Sequence, residues 1–313
     1  MSRVKYFFDS GDAHKSLHYL LSKSGISPAE IAGMAVNYGA YLPSVARRDG
    51  DGFLLDYKLG SRQIPTRLFN HHLSHAAAVY HTSGLADCLI MVSDARGSAE
   101  LGGYPVTEAD WLHGSRGQEE TISFYHGKKG VSLLNRMVFP HSLGEFYSLI
   151  TAWLGFNSHN HPHDVEFNEG KTMGLAPYGA GFYKGETFIF LEKEGFSFNP
   201  EYIRVKDDSL FLTDLFLYTF GSYRQQNEPL NSQHQLAAFI AQNDLEKTVH
   251  YLIESQAFKN PAENLLLSGG TFHNSVLNGK LKSSTFFKNV FAMPAADDSG
   301  LAIGNAFLSY LSR

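Results

Sequence analysis

The sequence predicts an α/β fold, and three observations carry that prediction. A chain of 313 residues that is 43% hydrophobic and 18% charged can bury a sizeable core. Short apolar runs of buried-strand length are followed by glycine-marked turns and stretches of helical period. No internal repeat and no low-complexity tract replaces that alternation.

Taken in order, residues 11–24, GDAHKSLHYLLSKS, put Leu17, Leu20 and Leu21 on one helical face, and Gly25 stands where a left-handed cap ends the helix. Residues 31–36 (IAGMAV) read as a short strand. Residues 66–69 (TRLF) lead into NHHLSHAAAVYHTSG, whose alanines and leucine suit a tightly packed helix ending by Gly84. CLIMV, residues 88–92, has the length of a buried strand, and residues 121–125 and 131–138 flank Gly-Lys-Lys-Gly as a hairpin would. From Ser142 a serine cap with Glu145 three residues on predicts a capping box, followed by periodic Phe146, Leu149, Ile150 and Trp153 before Gly155. Residues 232–258 form a second long amphipathic stretch. NLLLSGGTFHNSVLNGKL then gives a strand, a Gly-Gly turn and a helix, an order common on the phosphate side of nucleotide-binding α/β folds. The end repeats it, with NVFAMP as strand, AADDSG as loop and LAIGNAFLSYLSR as apolar helix.

Composition narrows the function classes. The net charge of −5 argues against a nucleic-acid binder that works by phosphate neutralisation. The single cysteine, Cys88, excludes an internal disulfide framework and thiolate-cluster metal sites, and fits a reducing compartment. A metal would have to be held by His, Asp or Glu. The opening MSRVKYFFDSGDAHKSL lacks a signal-type apolar core and a span of about 18 apolar residues, so the expectation is a soluble, cytoplasmic chain with neither nucleic acid nor membrane as partner.

His71 and His75 are four apart, so on a helix both imidazoles share a face and can reach one cation, whereas His72 points about a third of a turn away toward backbone or solvent. The spacing alone also fits two hydrogen-bonded helix histidines, so more ligands are required. Asp94, just beyond CLIMV, sits where α/β proteins place ligand-binding groups, and Asp297 and Asp298 occupy a similar position after the last strand. Each aspartate alone also fits a helix cap. Two His and two carboxylates would suit Fe, Mn or Zn. Gly269 and Gly270 would let backbone N–H groups approach phosphate oxygens, although a plain strand-to-helix turn reads the same. Lys171 lies in a Gly-bounded loop as a candidate phosphate or carboxylate contact. His159, His161 and His163 alternate in SHNHPHD, read as a polar loop near substrate rather than a second metal site. Phe7, Phe8, Tyr19, Phe146, Tyr147, Trp153 and Phe156 read as core and interface.

NHHLSHAAAVYHTSG, FPHSLGEFYSLITAWLGF, EGKTMGLAPYG, LLSGGTFHNSVLNGK and PAADDSGLAIGNAF, in this order over about residues 66 to 307, resemble the O-carbamoyltransferases of the nodulation, cephamycin and tobramycin type. The matching part is similar to the catalytic domain of the tRNA threonylcarbamoyl transferases. The resemblance implies the acetate and sugar kinase, heat-shock and actin architecture. Its two RNase-H-like subdomains, residues 1–87 plus 301–313 and residues 88–300, would enclose an interlobe cleft. It implies His71, His75, Asp94 and Asp298 as metal ligands, with Asp298 preferred over Asp297 by an Asp-x-Gly pattern. Arg96, Gly97, Lys171, Gly269, Gly270 and Asn274 are the implied nucleotide contacts. The implied chemistry is carbamoyl transfer from carbamoyl adenylate, itself made from ATP, to the hydroxyl of a small-molecule acceptor, as in natural product biosynthesis. Lys5, His71 and His75 are the candidate catalytic residues. The family opens with a hairpin bearing a His-Asp-Ser type motif, whereas this chain starts near the following Arg-x-Lys, here Arg3-Val4-Lys5. A YrdC-like domain usually follows. The expectation is therefore a catalytic domain completed by a partner chain, YrdC-like or a dimer mate. The alternative is a non-catalytic nucleotide-binding scaffold.

Overall fold

A computed structural model describes residues 14–38, 46–49, 52–59, 61–101, 104–107, 117–157, 168–206, 208–283 and 287–311. Helix α1 (His14–Ser24) ends at Gly25, whose φ of +71° is the left-handed cap that the sequence predicts. Strands β1 (Met34–Tyr38), β2 (Arg47–Asp49), β3 (Gly52–Leu59) and β4 (Arg62–Asn70) form one sheet in the order β1-β4-β3-β2. In β4 the buried positions Ile64, Thr66 and Leu68 alternate as a one-sided sheet requires, and then Phe69 and Asn70 are both buried as the chain turns inward. β4 is longer than the TRLF core, because the register with β3 extends back to Arg62.

Helix α2 (His71–Ser83) follows β4 with no connecting residue. Asn70 caps it by accepting from Leu73 N at 2.9 Å, and Gly84, φ +68°, ends it.

The larger sheet holds β5 (Cys88–Ser93), β6 (Ala99–Leu101), β7 (Tyr104–Pro105), β8 (Gln118–Gly127), β9 (Val131–Val138), β14 (Asn264–Ser268) and β15 (Asn289–Ala292). Its order is β15-β14-β5-β8-β6-β7, with β9 also on β8. β15, β14 and β5 run parallel, and β5 and β14 are buried along their whole length, which is why CLIMV and NLLLS are continuously apolar rather than alternating. β8 and β9 are the hairpin across Gly-Lys-Lys-Gly.

Helices α3 (Leu143–Trp153), α4 (Glu169–Leu175), α5 (Asp214–Phe220), α6 (Ser232–Lys259), α7 (Ser275–Lys282) and α8 (Leu301–Leu311) complete the described fold. Two small hairpins, β10 (Ile189–Glu192) with β11 (Gly195–Phe198) and β12 (Ile203–Lys206) with β13 (Ser209–Leu212), precede α5. Phe146, Trp153, Phe188, Phe216 and Phe220 are fully buried together and tie these hairpins to α3.

Several expectations change. Ser142 does cap α3 through Glu145 N, but the Glu145 side chain turns to Arg96 instead of closing a capping box. Lys171 lies inside helix α4, not in a loop. Tyr19 is exposed rather than core. Among the described residues no helix is long and apolar enough to cross a membrane. Lys5, Phe7, Phe8, His159, His161 and His163 lie outside the described residues.

Candidate metal centre

Because α2 begins where the interior strand β4 ends, its first turn is fixed by that strand, and His71 and His75, one turn apart, present their Nε2 atoms to the same point. His71 and His75 are both buried. Asp94 follows the last residue of β5, and Asp298 opens the turn that leads into α8. Donor atoms of all four lie within 4.8 Å of one another. Asp94 Oδ2 is 3.2 Å from His75 Nε2 and 3.7 Å from His71 Nε2, and Asp298 Oδ1 is 3.4 Å from His71 Nε2 and 3.6 Å from His75 Nε2.

The four imidazole-to-carboxylate separations lie close to those of a coordination shell. Four ligands at about 2.0–2.2 Å from one tetrahedral ion stand about 3.3–3.6 Å apart. Furthermore, His71 Nε2, His75 Nε2 and Asp94 Oδ2 are buried without a hydrogen-bond partner among the described residues. Buried polar atoms in folded proteins are mostly paired, and although other unpaired atoms lie elsewhere in the described residues, these three converge on one point, as a cation site requires. Asp94 Oδ1 is occupied by Ala95 N at 2.8 Å, which leaves Oδ2 to face the imidazoles.

The outer contacts set the rings. His75 Nδ1 lies 3.3 Å from Ser268 Oγ, so an Nδ1–H donor leaves the Nε2 lone pair inward. Asn37 Nδ2 lies 3.1 Å from His71 Nδ1 and fixes the ring; a flipped amide, with Oδ1 toward an Nδ1–H, would leave the Nε2 lone pair inward as at His75. Electrostatics agree with a site for positive charge. Burial disfavours a charged His71, yet Asp298 and Asp94 beside it outweigh burial and push it up to about 10. Burial raises Asp94, but the two imidazoles facing Asp94 and Asp298 hold both carboxyls well below the usual carboxylate range.

The remaining sequence candidates divide. Gly269, φ +98°, closes against β5, where a Cβ would stand 2.3 Å from Ser93 O, and a Cβ on Gly270 would stand 3.1 Å from Asp94 Oδ1. The Gly-Gly turn thus borders the centre. Gly97 packs on Glu120 and His72, and Lys171 stands over the Phe156 ring at 5.9 Å. The Arg96 guanidinium is engaged within the chain by Glu145, Glu119 and the Asp208 carbonyl. Asn274 caps α7 and pairs both amide atoms with Gln242. Asp297 caps its own turn through Ser299 N and stays outside the cluster. His72, expected toward backbone or solvent, is fully buried with Nδ1 2.7 Å from Ser123 Oγ, because α2 lies over β8.

One residue was missed. Glu120 on β8 is wholly buried, accepts from His72 N, Ser98 N and Asn70 Nδ2, and pairs with Arg136.

The family described as "Carbamoyltransferase N-terminus" matches residues 32–307. The chain is similar to the uncharacterized protein sll1178 of Synechocystis sp., with 32% identity over 79% of this chain and 37% of that protein. It is also similar to the nodulation protein NolNO of Sinorhizobium fredii, with 29% identity over 82% of this chain and 33% of that protein. It therefore spans about a third of the length of these curated relatives. Among solved structures, full-length HypF in its phosphate- and nucleotide-bound form aligns at 16% identity with a TM-score of 0.39, over 80% of this chain and 43% of that one.

Proposed function

This chain belongs to the carbamoyltransferase N-terminus family, and from that premise we propose that it is the metal-dependent catalytic unit of an O-carbamoyltransferase. It moves a carbamoyl group from carbamoyl adenylate to the hydroxyl of a small-molecule acceptor. The observation that carries this reading is the convergence of His71, His75, Asp94 and Asp298, with three buried donor atoms left unpaired.

The acceptor oxygen bonds to the carbamoyl carbon, the bond from that carbon to the phosphate oxygen breaks, AMP leaves, and the acceptor proton passes to a base. A divalent cation held by the four residues, Fe, Mn or Zn by donor type, supplies charge to bind the phosphate and polarise the carbonyl. The chain's own groups do the rest. Ser268 and Asn37 keep both imidazoles turned inward. Gly269 and Gly270 leave the turn beside Asp94 without side chains, the form a turn that meets a phosphate would take. Lys171 offers a positive charge on α4. Arg96 and Asn274 would meet a nucleotide only by exchanging their present partners.

The finer fold belongs to the same proposal. The small sheet with α2 and α8 is one RNase-H-like lobe, residues 1–87 plus 301–313, and residues 88–300 are the other. Supporting this, α2 continues from the small sheet, packs on α8, and meets Asp94 of the large sheet. A YrdC-like partner would supply the adenylate in the cytoplasm.

The test is incubation of the metal-loaded chain with preformed carbamoyl adenylate and a panel of hydroxyl acceptors. AMP release matched by carbamoylated product is the expected result. Tight nucleotide binding with no product across the panel would replace the transferase by a nucleotide-binding scaffold.

A further inference from the structure

We propose that Glu120 is a positioning residue of the metal centre, the buried carboxylate that fixes the histidine-bearing turn of α2 against the loop carrying Asp94. The inference rests on reading the four-residue cluster as a metal centre.

A carboxylate with no solvent exposure is costly unless nearly all its lone pairs are used. Glu120 meets that condition with three groups from the walls of the centre and with Arg136 of β9. Oε1 accepts from His72 N at 3.1 Å and from Ser98 N at 3.0 Å. Oε2 accepts from Asn70 Nδ2 at 3.1 Å and lies 3.1 Å from Arg136 Nε. His72 N belongs to the first turn of α2, where a negative group is favoured by the unpaired N–H donors and the helix dipole.

Ser98 completes the link. Its Oγ accepts from His71 N at 3.0 Å and donates to Tyr38 O at 2.8 Å. The loop from Asp94 to Ser98 is laid along β8 by Asp94 N to Thr121 O, Gly97 N to Glu120 O and Glu120 N to Ser98 O. One side chain therefore joins the end of β4, the start of α2 and the Asp94 loop, without touching the four donor atoms. Gly97 makes room for it, since a Cβ there would stand 2.7 Å from Glu120 Cγ and 3.0 Å from His72 Cδ2. Shifting α2 against the loop by a few tenths of an ångström would move two imidazoles relative to Asp94, and cation affinity is sensitive to such displacement.

The experiment uses the full chain stripped of metal and titrated with Co(II), read by its visible d–d bands, and with Zn(II) in competition with a chromophoric chelator. Wild type binds one equivalent of each. Glu120→Gln keeps size and an acceptor oxygen but loses the charge, and it binds about 10- to 100-fold more weakly, with shifted Co(II) bands. Affinities are read far below the unfolding transition, so general loss of stability does not enter. If Glu120→Gln does not fold, Ser98→Ala carries the test. It removes only the bridging hydroxyl and should weaken binding about tenfold with a similar spectral shift. A folded variant with wild-type affinity and spectrum overturns the positioning role and leaves the metal centre standing. A wild type that binds neither ion overturns the centre, and this inference with it.

Discussion

Of the four residues proposed as ligands, His75 has the least room to be replaced. It is fully buried, and its Nε2 has no partner other than what the cluster holds. His75→Ala should leave the purified protein with less than about a tenth of the wild-type metal content by mass spectrometry, since a site reduced to three donors loses the preformed geometry that gave it affinity. Unchanged metal content would remove His75 from the ligand set. Protons and cation compete for the same imidazoles. Without metal, the neighbouring carboxylates hold His71 up at about 10, so near neutral pH it carries a proton that a cation must displace. Binding should release about one proton, and affinity should fall about tenfold for each pH unit below neutrality. Calorimetry in buffers of different ionisation enthalpy measures the release, and a count of zero would mean His71 does not ligate. His72 behaves in the opposite sense, because burial pushes it down to about 4 from an ordinary 6.5. The unfolded chain binds the extra proton between those values, so stability is fully present above 6.5 and is lost as pH falls toward 4, by about 1.4 kcal/mol per unit. His72→Asn, which keeps a polar atom near Ser123, should flatten the difference in urea midpoint between pH 7 and pH 5. The spacing of His71 and His75 was legible because helical period is local. The burial of His72 was not, because it depends on β8, about fifty residues further on.

At the scale of elements, the histidine helix is placed by α8 from behind. Gly304 lets the two helices touch, and a Cβ there would lie 1.8 Å from Ser74 O and 3.0 Å from Ala78 N, both backbone atoms of α2 that have no rotamer to yield. Ser74 Oγ also donates to Asn305 Oδ1 at 2.7 Å across the same contact. Gly304→Ala must therefore push α8 off α2, at about 1–3 kcal/mol for overpacking. Asp298 sits in the turn directly before α8, so the same variant should also weaken cation binding, whereas Gly279→Ala, with nothing within 4 Å of the added Cβ, should do neither. Urea unfolding and Zn(II) competition on both variants decide this. Equal cation affinity in Gly304→Ala and wild type would show that α8 does not position Asp298. Elements with a local signature were readable, such as the Gly84 and Gly25 caps and the apolar strands β5 and β14. What the sequence concealed was partnership. Glu145 reads as a capping residue until Arg96 is seen between it and Glu119, and Glu120 sits in QEETISFY with no local sign that it is buried.

Over the whole molecule, the four donors come from segments that only the folded state brings together. Asp94 leaves the large sheet, His71 and His75 follow the small sheet, and Asp298 comes from near the other end of the described chain. The α/β class was legible because both sheets are built from runs whose apolar pattern is set by burial. The meeting of the two sheets at α2 was suggested only by the family resemblance, since no local signal encodes which helix face receives Asp94. This dispersal would make the proposed cation a native-state ligand, so it should stabilise the fold by about 2.7 kcal/mol at a free concentration one hundred times its dissociation constant. For a chain of this size that is a rise of a few degrees in the unfolding temperature. Asp298 is the exposed member of the set, with its side chain 71% accessible, so Asp298→Asn should cost little stability in chelator but lose most of the metal-dependent rise. Scanning calorimetry of both proteins, with Zn(II) and with chelator, gives the four values needed. A rise of equal size in wild type and variant would mean that the stabilising cation sits elsewhere and that Asp298 is a solvent-facing cap, its proximity to the histidines carrying no affinity.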